Sequence, residues 1–286
     1  VLPSAMLKMG VENNSDTFGV FIRPSLFTDK KAGDDYIANK PGVVFRITPN
    51  ESTELDPYAV PDQIVRGTGS TEFDLMDDLE ELRMAIIDKY TDSNATELPT
   101  SMPAISGTDG IQRGIDVLGP ANDACYLWTG NQTISSPTPP FPDLKQYYEF
   151  LRNPPVTLGT DADEFIIVYG VNHVATGKAT YQNFVPYGAD VWNGVGMVTD
   201  VDFNGSAEEY LPDNPNAKYL YVYKLARNCD GDPYCYEIPY NAKGYGIDLD
   251  QPIMIGWRLY LEKATKTGPC YSEIVYDRAI KFDPKE

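Results

Sequence analysis

The sequence predicts a mainly β fold with a few helices, of the α+β class, built on an antiparallel sandwich or jelly-roll-like core. Three observations carry this prediction. Proline and glycine number 23 each among 286 residues, which favours many turns and short strands. The second half of the chain contains several short segments with apolar alternation or a continuous apolar run. In one long segment, 71–90, apolar residues recur at helical spacing.

The clearest strand prediction is the segment 165–169, Phe-Ile-Ile-Val-Tyr. Such a continuous apolar run is typical of a central strand that is covered on both faces. Shorter alternating segments bounded by turn residues predict the rest of the β structure. The remaining predicted strands are 17–22, 43–47, 178–185, 219–226, 253–261 and 274–282.

One long helix is predicted over 71–90, and we expect it to cover the core. Apolar side chains recur along it at helical spacing. Glu72 and other acidic residues precede or begin the helix and Lys89 ends it, as the helix dipole prefers. A second, shorter helix is predicted at 143–152, between Pro142 and a pair of prolines. The apolar residues of the long helix are Leu75, Leu79, Leu82, Ile86 and Tyr90.

The proline-rich run 135–142 predicts an extended connector. It would separate an N-terminal region, 1–134, with extended strands and the long helix, from a β-rich region, 143–286. In the alternative, 135–142 is a long surface loop and the chain forms one compact domain. The sequence leaves both organisations open.

Five Asn-x-Ser/Thr sequons predict a glycoprotein that passes through the secretory pathway to the cell surface or the extracellular space. The flanking residues are polar or turn-forming, as expected of surface loops. No apolar stretch is long enough to suggest a membrane span. The five sequons begin at Asn13, Asn50, Asn94, Asn131 and Asn204.

The four cysteines predict two disulfide bonds, in line with a secreted protein. We favour Cys229–Cys235, because the residues between them are turn-forming. That choice leaves Cys125 to pair with Cys270. A zinc site is disfavoured, because the spacing is not C-x₂-C and the chain has a single histidine.

The chain is strongly acidic, with a net charge of −19 and a pI of about 4.4. Such a surface repels nucleic acid and anionic lipid, so neither is expected as a partner. The charge suits a solvated surface or the binding of cations.

The best local motif for a ligand is the acidic segment 200–208. Its spacing of oxygen-bearing side chains, with Gly205 at the sixth position, resembles the D-x-D-x-N-G-x-x-D/E calcium loops of β-rich extracellular proteins. The expected cofactor is therefore calcium or none. A glycosylated surface turn and a plain acidic turn are the alternatives, since an Asn204 that carries a glycan is a poor metal ligand. The candidate ligands are Asp200, Asp202, Asn204 and Glu208.

No catalytic residue is assigned from the sequence. His173, the single imidazole, follows a predicted buried strand and is interpreted as structural, and no G-x-S-x-G motif is present. Tyrosines 219, 221 and 223 could stack on sugars, but ordinary half-buried strand residues explain the same spacing.

The sequence therefore favours a secreted or cell-surface structural or adhesive subunit that assembles, as filaments or otherwise, with itself or other extracellular proteins. The apolar segment 1–9 could add as a strand to a neighbour's sheet, or pack on its own domain as an edge strand. A calcium-dependent carbohydrate-binding protein, with glycans as partners, is one alternative. A secreted glycoside hydrolase using two carboxylates is another.

Overall fold

The structure is a computed structural model that describes residues 30–39, 42–45, 66–101, 123–129, 156–189, 193–240 and 246–285. The chain divides into two compact units, 1–63 and 64–286. In the described part of the first unit, helix α1 (Lys30–Asn39) is followed by the exposed residues 42–45, which form no strand. The predicted strand 43–47 is thus not formed at 43–45, where no described strand supplies a hydrogen-bonding partner.

The second unit contains a five-stranded first sheet. Its neighbouring strands are antiparallel, except that β8 and β9 run parallel. The strand order is β1 (Ser93–Leu98), β11 (Arg278–Pro284), β4 (Phe165–Val171), β8 (Leu220–Ala226) and β9 (Cys235–Glu237).

A second sheet packs against the first, and all its strand pairs are antiparallel. A short strand β7 (Val198–Thr199) also pairs with β5. The strand order is β2 (Thr100–Ser101), β3 (Ala124–Thr129), β10 (Ile253–Tyr260), β5 (Tyr181–Gly188) and β6 (Asn193–Gly194). The fold is mostly β with antiparallel and mixed strands, which confirms the predicted sandwich-like α+β class.

Alternate side chains of both sheets meet in the main core, as period-two strands require. Ile166 and Val168 of β4 contribute from the first sheet, and Ile255 and Trp257 of β10 contribute from the second. Parallel aromatic rings fill the centre, where the ring centroids of Phe203 and Tyr221 lie 3.9 Å apart.

The opposite face of the first sheet is covered by helix α2 (Met76–Lys89), which follows a 3₁₀ turn at Phe73–Leu75. Leu79, Leu82 and Ile86 of the helix are fully buried in a second core cluster. The predicted covering helix is confirmed. Strand β4 is buried along its whole length because one of its faces packs in the main core and the other packs in the second core cluster.

Strands that precede and follow the proline-rich run share both sheets: β1 pairs with β11, and β3 pairs with β10. The connector 135–142, the predicted strand 17–22, the predicted helix 143–152 and the segment 1–9 lie outside the described residues. Within the described ranges, no helix combines the length and apolar character that crossing a membrane requires.

Candidate functional site

The single histidine lies at the centre of a buried ionic network. His173 follows β4 and is fully buried, as is Asp277 before β11, and Glu72 before the 3₁₀ turn is 4% exposed. The Nδ1 atom of His173 lies 2.7 Å from Glu72 Oε2, and its Nε2 atom lies 3.3 Å from Asp277 Oδ2. Both ring nitrogens face carboxylates, and an imidazolium that donates at both ends fits this geometry.

Electrostatics agree with an imidazolium at this position. Burial alone lowers the pKa of His173, but the charges of Glu72 and Asp277 outweigh burial and raise that pKa to about 10. Burial raises the pKa of Glu72, but the charge of His173 and hydrogen bonds from His173, Thr176 and Val275 hold it below its usual value. The network therefore holds one cation between two carboxylates near neutral pH.

The Asp277 end of the network crosses between the two sheets. The indole N–H of Trp257 donates to Tyr221 Oη at 2.9 Å, and the Tyr221 hydroxyl donates to Asp277 Oδ1 at 2.7 Å. Gln182 Nε2 donates to the same oxygen. Gly170 of β4 leaves room for this carboxylate, since a Cβ there would lie 2.5 Å from Asp277 Oδ1. Strands from both sheets thus hold the imidazolium in place.

A second buried ionic network surrounds Lys178. Its Nζ atom donates to Glu273 Oε2 at 2.6 Å and to Glu262 Oε1 at 2.9 Å. The backbone N–H groups of Thr68 and Gly69 also donate to Glu273. The hydrogen bond from Lys178, with these backbone donors, lowers the pKa of Glu273 to about 2. The network connects three segments: Lys178 lies in the turn between β4 and β5, Thr68 and Gly69 precede α2, and Glu273 precedes β11.

A polar cleft of 320 Å³ lies beside both networks. Glu72 and Thr176 line it from the histidine network, and Lys178 and Glu262 line it from the lysine network. The Thr176 hydroxyl donates to Glu72 Oε1 at 2.5 Å. The cleft is therefore a place where the charges of both networks approach solvent.

The arrangement does not match a nucleophile–histidine pair. A general base must offer a free ring nitrogen to a hydroxyl or thiol, whereas both nitrogens of His173 face carboxylates. Glu72 and Glu273 have lowered pKa values, which is the opposite of what a carboxylic general acid needs. The two networks are suited to binding charge and to fixing the fold.

The acidic segment 200–208 forms a series of turns in which the candidate ligands have separate hydrogen bonds. Asp200 Oδ1 accepts from the N–H of Gln182, and Asp202 Oδ2 accepts from the N–H and hydroxyl of Thr199. Asn204 Nδ2 donates to the carbonyl of Val201. Glu208 is exposed. Within the described ranges, no cluster of three or more acidic, histidine or cysteine side chains could hold a metal ion, and calcium binding here stays a prediction.

Two of the five sequons fall on described residues. Asn94 on β1 and Asn204 are both exposed. Ser206 of the second sequon is buried, where its hydroxyl donates to the carbonyl of Phe203. The other three, Asn13, Asn50 and Asn131, lie outside the described residues. Glycosylation at all five stays a prediction.

The predicted Cys229–Cys235 disulfide is confirmed, and it closes a turn before β9. The second predicted bond, Cys125–Cys270, is not formed, and both residues are free thiols. A disulfide requires the two side chains to point at each other. Cys125 of β3 instead packs in the core between the sheets, whereas Cys270 Sγ lies 3.3 Å from the hydroxyl of Ser272.

We expect alkylation of the native protein to label Cys270 and to spare Cys125. Cys270 is partly exposed, whereas Cys125 is fully buried, and burial raises the pKa of its thiol. Unfolding without a reductant should then expose both thiols to the reagent. Mass spectrometry of the labelled peptides measures both results. Failure to label either thiol after unfolding would show that the two are bonded after all.

Strand β1 forms one edge of the first sheet. This strand pairs with β11 on one side, and in the described ranges no strand pairs with its other side. The side chains of Asn94, Ala95, Thr96 and Glu97 are exposed. A groove of 510 Å³ adjoins the end of this strand, and the exposed apolar side chains of Phe73 and Met76 form part of its wall. Backbone groups and apolar surface are thus available side by side.

The tyrosines proposed for sugar stacking lie in the two core clusters. Tyr221 and Tyr223 are buried in the core between the sheets. Tyr219 ends a 3₁₀ turn, Ala217–Tyr219, and lies partly buried in the second core cluster. These rings therefore act as core residues.

The sequence did not identify four acidic residues of the networks and their lysine. The sequence pattern places Glu72 at the start of the helix and Lys178 in a strand that in fact begins at Tyr181. Lys178 precedes that strand by three residues, and no local signal marks it as buried.

Searches against protein-family models, curated proteins and solved structures find no match for this chain.

Proposed function

We propose that this chain is a non-catalytic structural or adhesive subunit of an extracellular assembly, in which copies pair through β1. The observation that carries the proposal is the length and exposure of this edge strand. An unpaired strand edge offers a row of N–H and C=O groups to another chain. We therefore take a second copy of the chain as the partner of β1.

The other sheet edges in the described ranges are too short to do the same. β9 has three residues and is flanked by the Cys229–Cys235 disulfide, and β2 and β6 have two residues each. Short edge strands are a common protection against unwanted pairing. β1 has six residues without proline, lysine or arginine, and its single charged residue, Glu97, is paired with Arg83 of α2.

The sequence of β1 is compatible with antiparallel pairing to itself. A two-fold axis perpendicular to the sheet at Thr96 places this residue opposite its own copy. The same register places Glu97, the single charged residue of the strand, opposite Ala95. Like charges are then not opposed. Glu97 also remains paired with Arg83 of α2 at 2.5 Å.

The extracellular location rests on independent support. The Cys229–Cys235 disulfide is typical of oxidising compartments. Asn204 is exposed and open to glycan attachment, and the net charge of −19 favours solubility of the assembly. A filament requires a second contact between copies, for which the apolar segment 1–9 is the proposed source.

Cross-linking of two cysteine variants tests the β1 pairing. Thr96→Cys and Ala95→Cys are made separately, each in a Cys270→Ser background, and each protein is kept under mild oxidation. Opposite residues of an antiparallel pair share a face and lie within reach of a disulfide, so position 96 can bond to its own copy, whereas position 95 lies opposite position 97. We therefore expect linked dimers of Thr96→Cys and none of Ala95→Cys, as measured on a non-reducing gel.

Two controls separate this proposal from its rivals. Deleting residues 1–10 should leave the dimer intact in sedimentation experiments if β1 pairs with itself. Loss of association in the deletion variant would instead assign the edge to segment 1–9 of a neighbour. A chain that stays monomeric at high concentration would contradict the assembly role.

A further inference from the structure

We infer that the polar cleft between the two ionic networks binds a small ligand through an ammonium group. The cleft has a volume of 320 Å³, at the small end of the range for ligand sites. Its wall combines hydroxyl groups of Ser70, Thr71 and Thr176 with the carboxylates of Asp74 and Glu262. The inference is independent of the β1 assembly.

An unpartnered buried oxygen points to a missing donor at this cleft. Glu262 is 5% exposed, and its Oε1 atom accepts hydrogen bonds from Lys178 Nζ and the Thr68 hydroxyl. Its Oε2 atom is buried and, in the described part of the chain, has no hydrogen-bond partner. A buried carboxylate oxygen without a donor is costly. Glu262 belongs to the cleft wall, and a ligand seated in the cleft is the proposed source of that donor.

The charge around the cleft favours a cationic donor over a neutral one. Lys178 is paired with two carboxylates, those of Glu262 and Glu273, so the lysine network has a formal charge of −1. The histidine network likewise places one imidazolium between two carboxylates. Asp74 adds a further exposed carboxylate to the wall. A cleft whose walls carry a net negative charge concentrates cationic ligands.

An ammonium group satisfies both requirements. It has three N–H donors and a positive charge, whereas a hydroxyl has one donor and no charge. A hydrogen bond between an ammonium and a carboxylate is among the stronger ones in proteins. The hydroxyl groups of Ser70, Thr71 and Thr176 suit the polar remainder of such a ligand. An amino sugar is therefore a suitable probe of the cleft.

The test compares probes that differ in one group. Binding of D-glucosamine, D-glucose and methylammonium is measured by calorimetry on the full chain. We expect saturable binding of both amines and none of glucose. Glu262→Gln should weaken amine binding about tenfold or more, the size of one lost charge-assisted hydrogen bond. Glu80→Gln, on the exposed face of α2, is the matched control and should bind as the unchanged protein does.

Each contrary outcome overturns the inference. Equal binding of glucose and glucosamine would make the site one for neutral hydroxyls. Saturable binding of calcium chloride with no binding of amines would make it a metal site. Absence of binding by both amines would leave Oε2 with a buried water. If Glu262→Gln fails to fold, Asp74→Asn replaces it, since Asp74 is exposed, and unchanged amine affinity in that variant would also contradict the inference.

Discussion

Replacing His173 with leucine should lower the free energy of unfolding by about 3–5 kcal/mol, the cost of removing one member of a buried ionic group. The substitution leaves Glu72 and Asp277 buried without the cation that they share. For a unit of this size the melting temperature should fall by roughly 6–20 °C. Urea unfolding followed by tryptophan fluorescence measures the change directly.

A second substitution separates lost charge from lost packing. In the His173→Leu protein, the additional change Glu72→Gln removes one of the two uncompensated carboxylates. We expect it to recover part of the lost stability, whereas the same change in the unaltered protein should destabilise. Such opposite signs show that the two residues interact. If Glu72→Gln destabilises both proteins equally, the network is not the source of the stability.

The free energy of unfolding should depend on pH through His173 and Glu72. The pKa of His173 rises from 6.5 to about 10 on folding, so its contribution is complete below pH 6.5 and is lost as the pH rises towards 10. The pKa of Glu72 falls below its usual 4.5, so its contribution is present above pH 4.5 and is lost on further acidification. His173→Leu should abolish the first dependence. An unchanged alkaline profile in that variant would contradict an imidazolium at this position.

The parts of the fold that could be predicted are those in which one local pattern determines the structure. The helical spacing of Leu79, Leu82 and Ile86 specifies which face of α2 is buried, and those residues are fully buried. The continuous apolar run of β4 specifies a strand covered on both faces, and all of it is buried. In both cases the spacing of apolar residues in the sequence is enough to predict the type of element and its buried face.

Elements whose stability depends on a partner strand could not be predicted. β1 is a polar segment, Ser-Asn-Ala-Thr-Glu-Leu, in which only Leu98 is buried. Its strand conformation is supported by pairing with β11, almost two hundred residues away along the chain. Strand β11 itself begins at Arg278 and not at Ile274, because Glu273 and Asp277 belong to the ionic networks.

The histidine network could not be predicted from the sequence, because its residues are far apart along the chain. Glu72 and Asp277 are separated from His173 by 101 and 104 residues. A glutamate directly before an acidic helix start is normally an exposed residue that interacts with the helix dipole. Its burial follows from the docking of this segment on Val275, whose N–H donates to Glu72 Oε2 at 3.2 Å. Only the assembled sandwich brings the three charges together.

A buried arginine outside both networks provides the second large effect that we expect. Arg227 follows β8 and is 8% exposed, and burial lowers the pKa of its guanidinium. Its hydrogen bonds go to backbone carbonyls, which its planar fork reaches simultaneously. The group joins the segment before β4 to the segments that follow β9. The carbonyls that accept are those of Leu158, Ile238, Pro239, Ile247 and Asp248.

Replacing Arg227 with methionine should therefore lower the free energy of unfolding by about 3–5 kcal/mol, because each buried carbonyl left without a donor costs about 1–3 kcal/mol and some will be rehydrated. Arg227→Lys keeps the charge but loses the fork, so it should be intermediate. Arg83→Lys is the matched control: its ion pairs with Glu80 and Glu97 are at the surface, and we expect a change within about 1 kcal/mol. Chemical denaturation of the three variants provides the comparison. If Arg227→Met is no more destabilising than Arg83→Lys, water replaces the guanidinium at these carbonyls, and the segments that it joins are held by apolar packing alone.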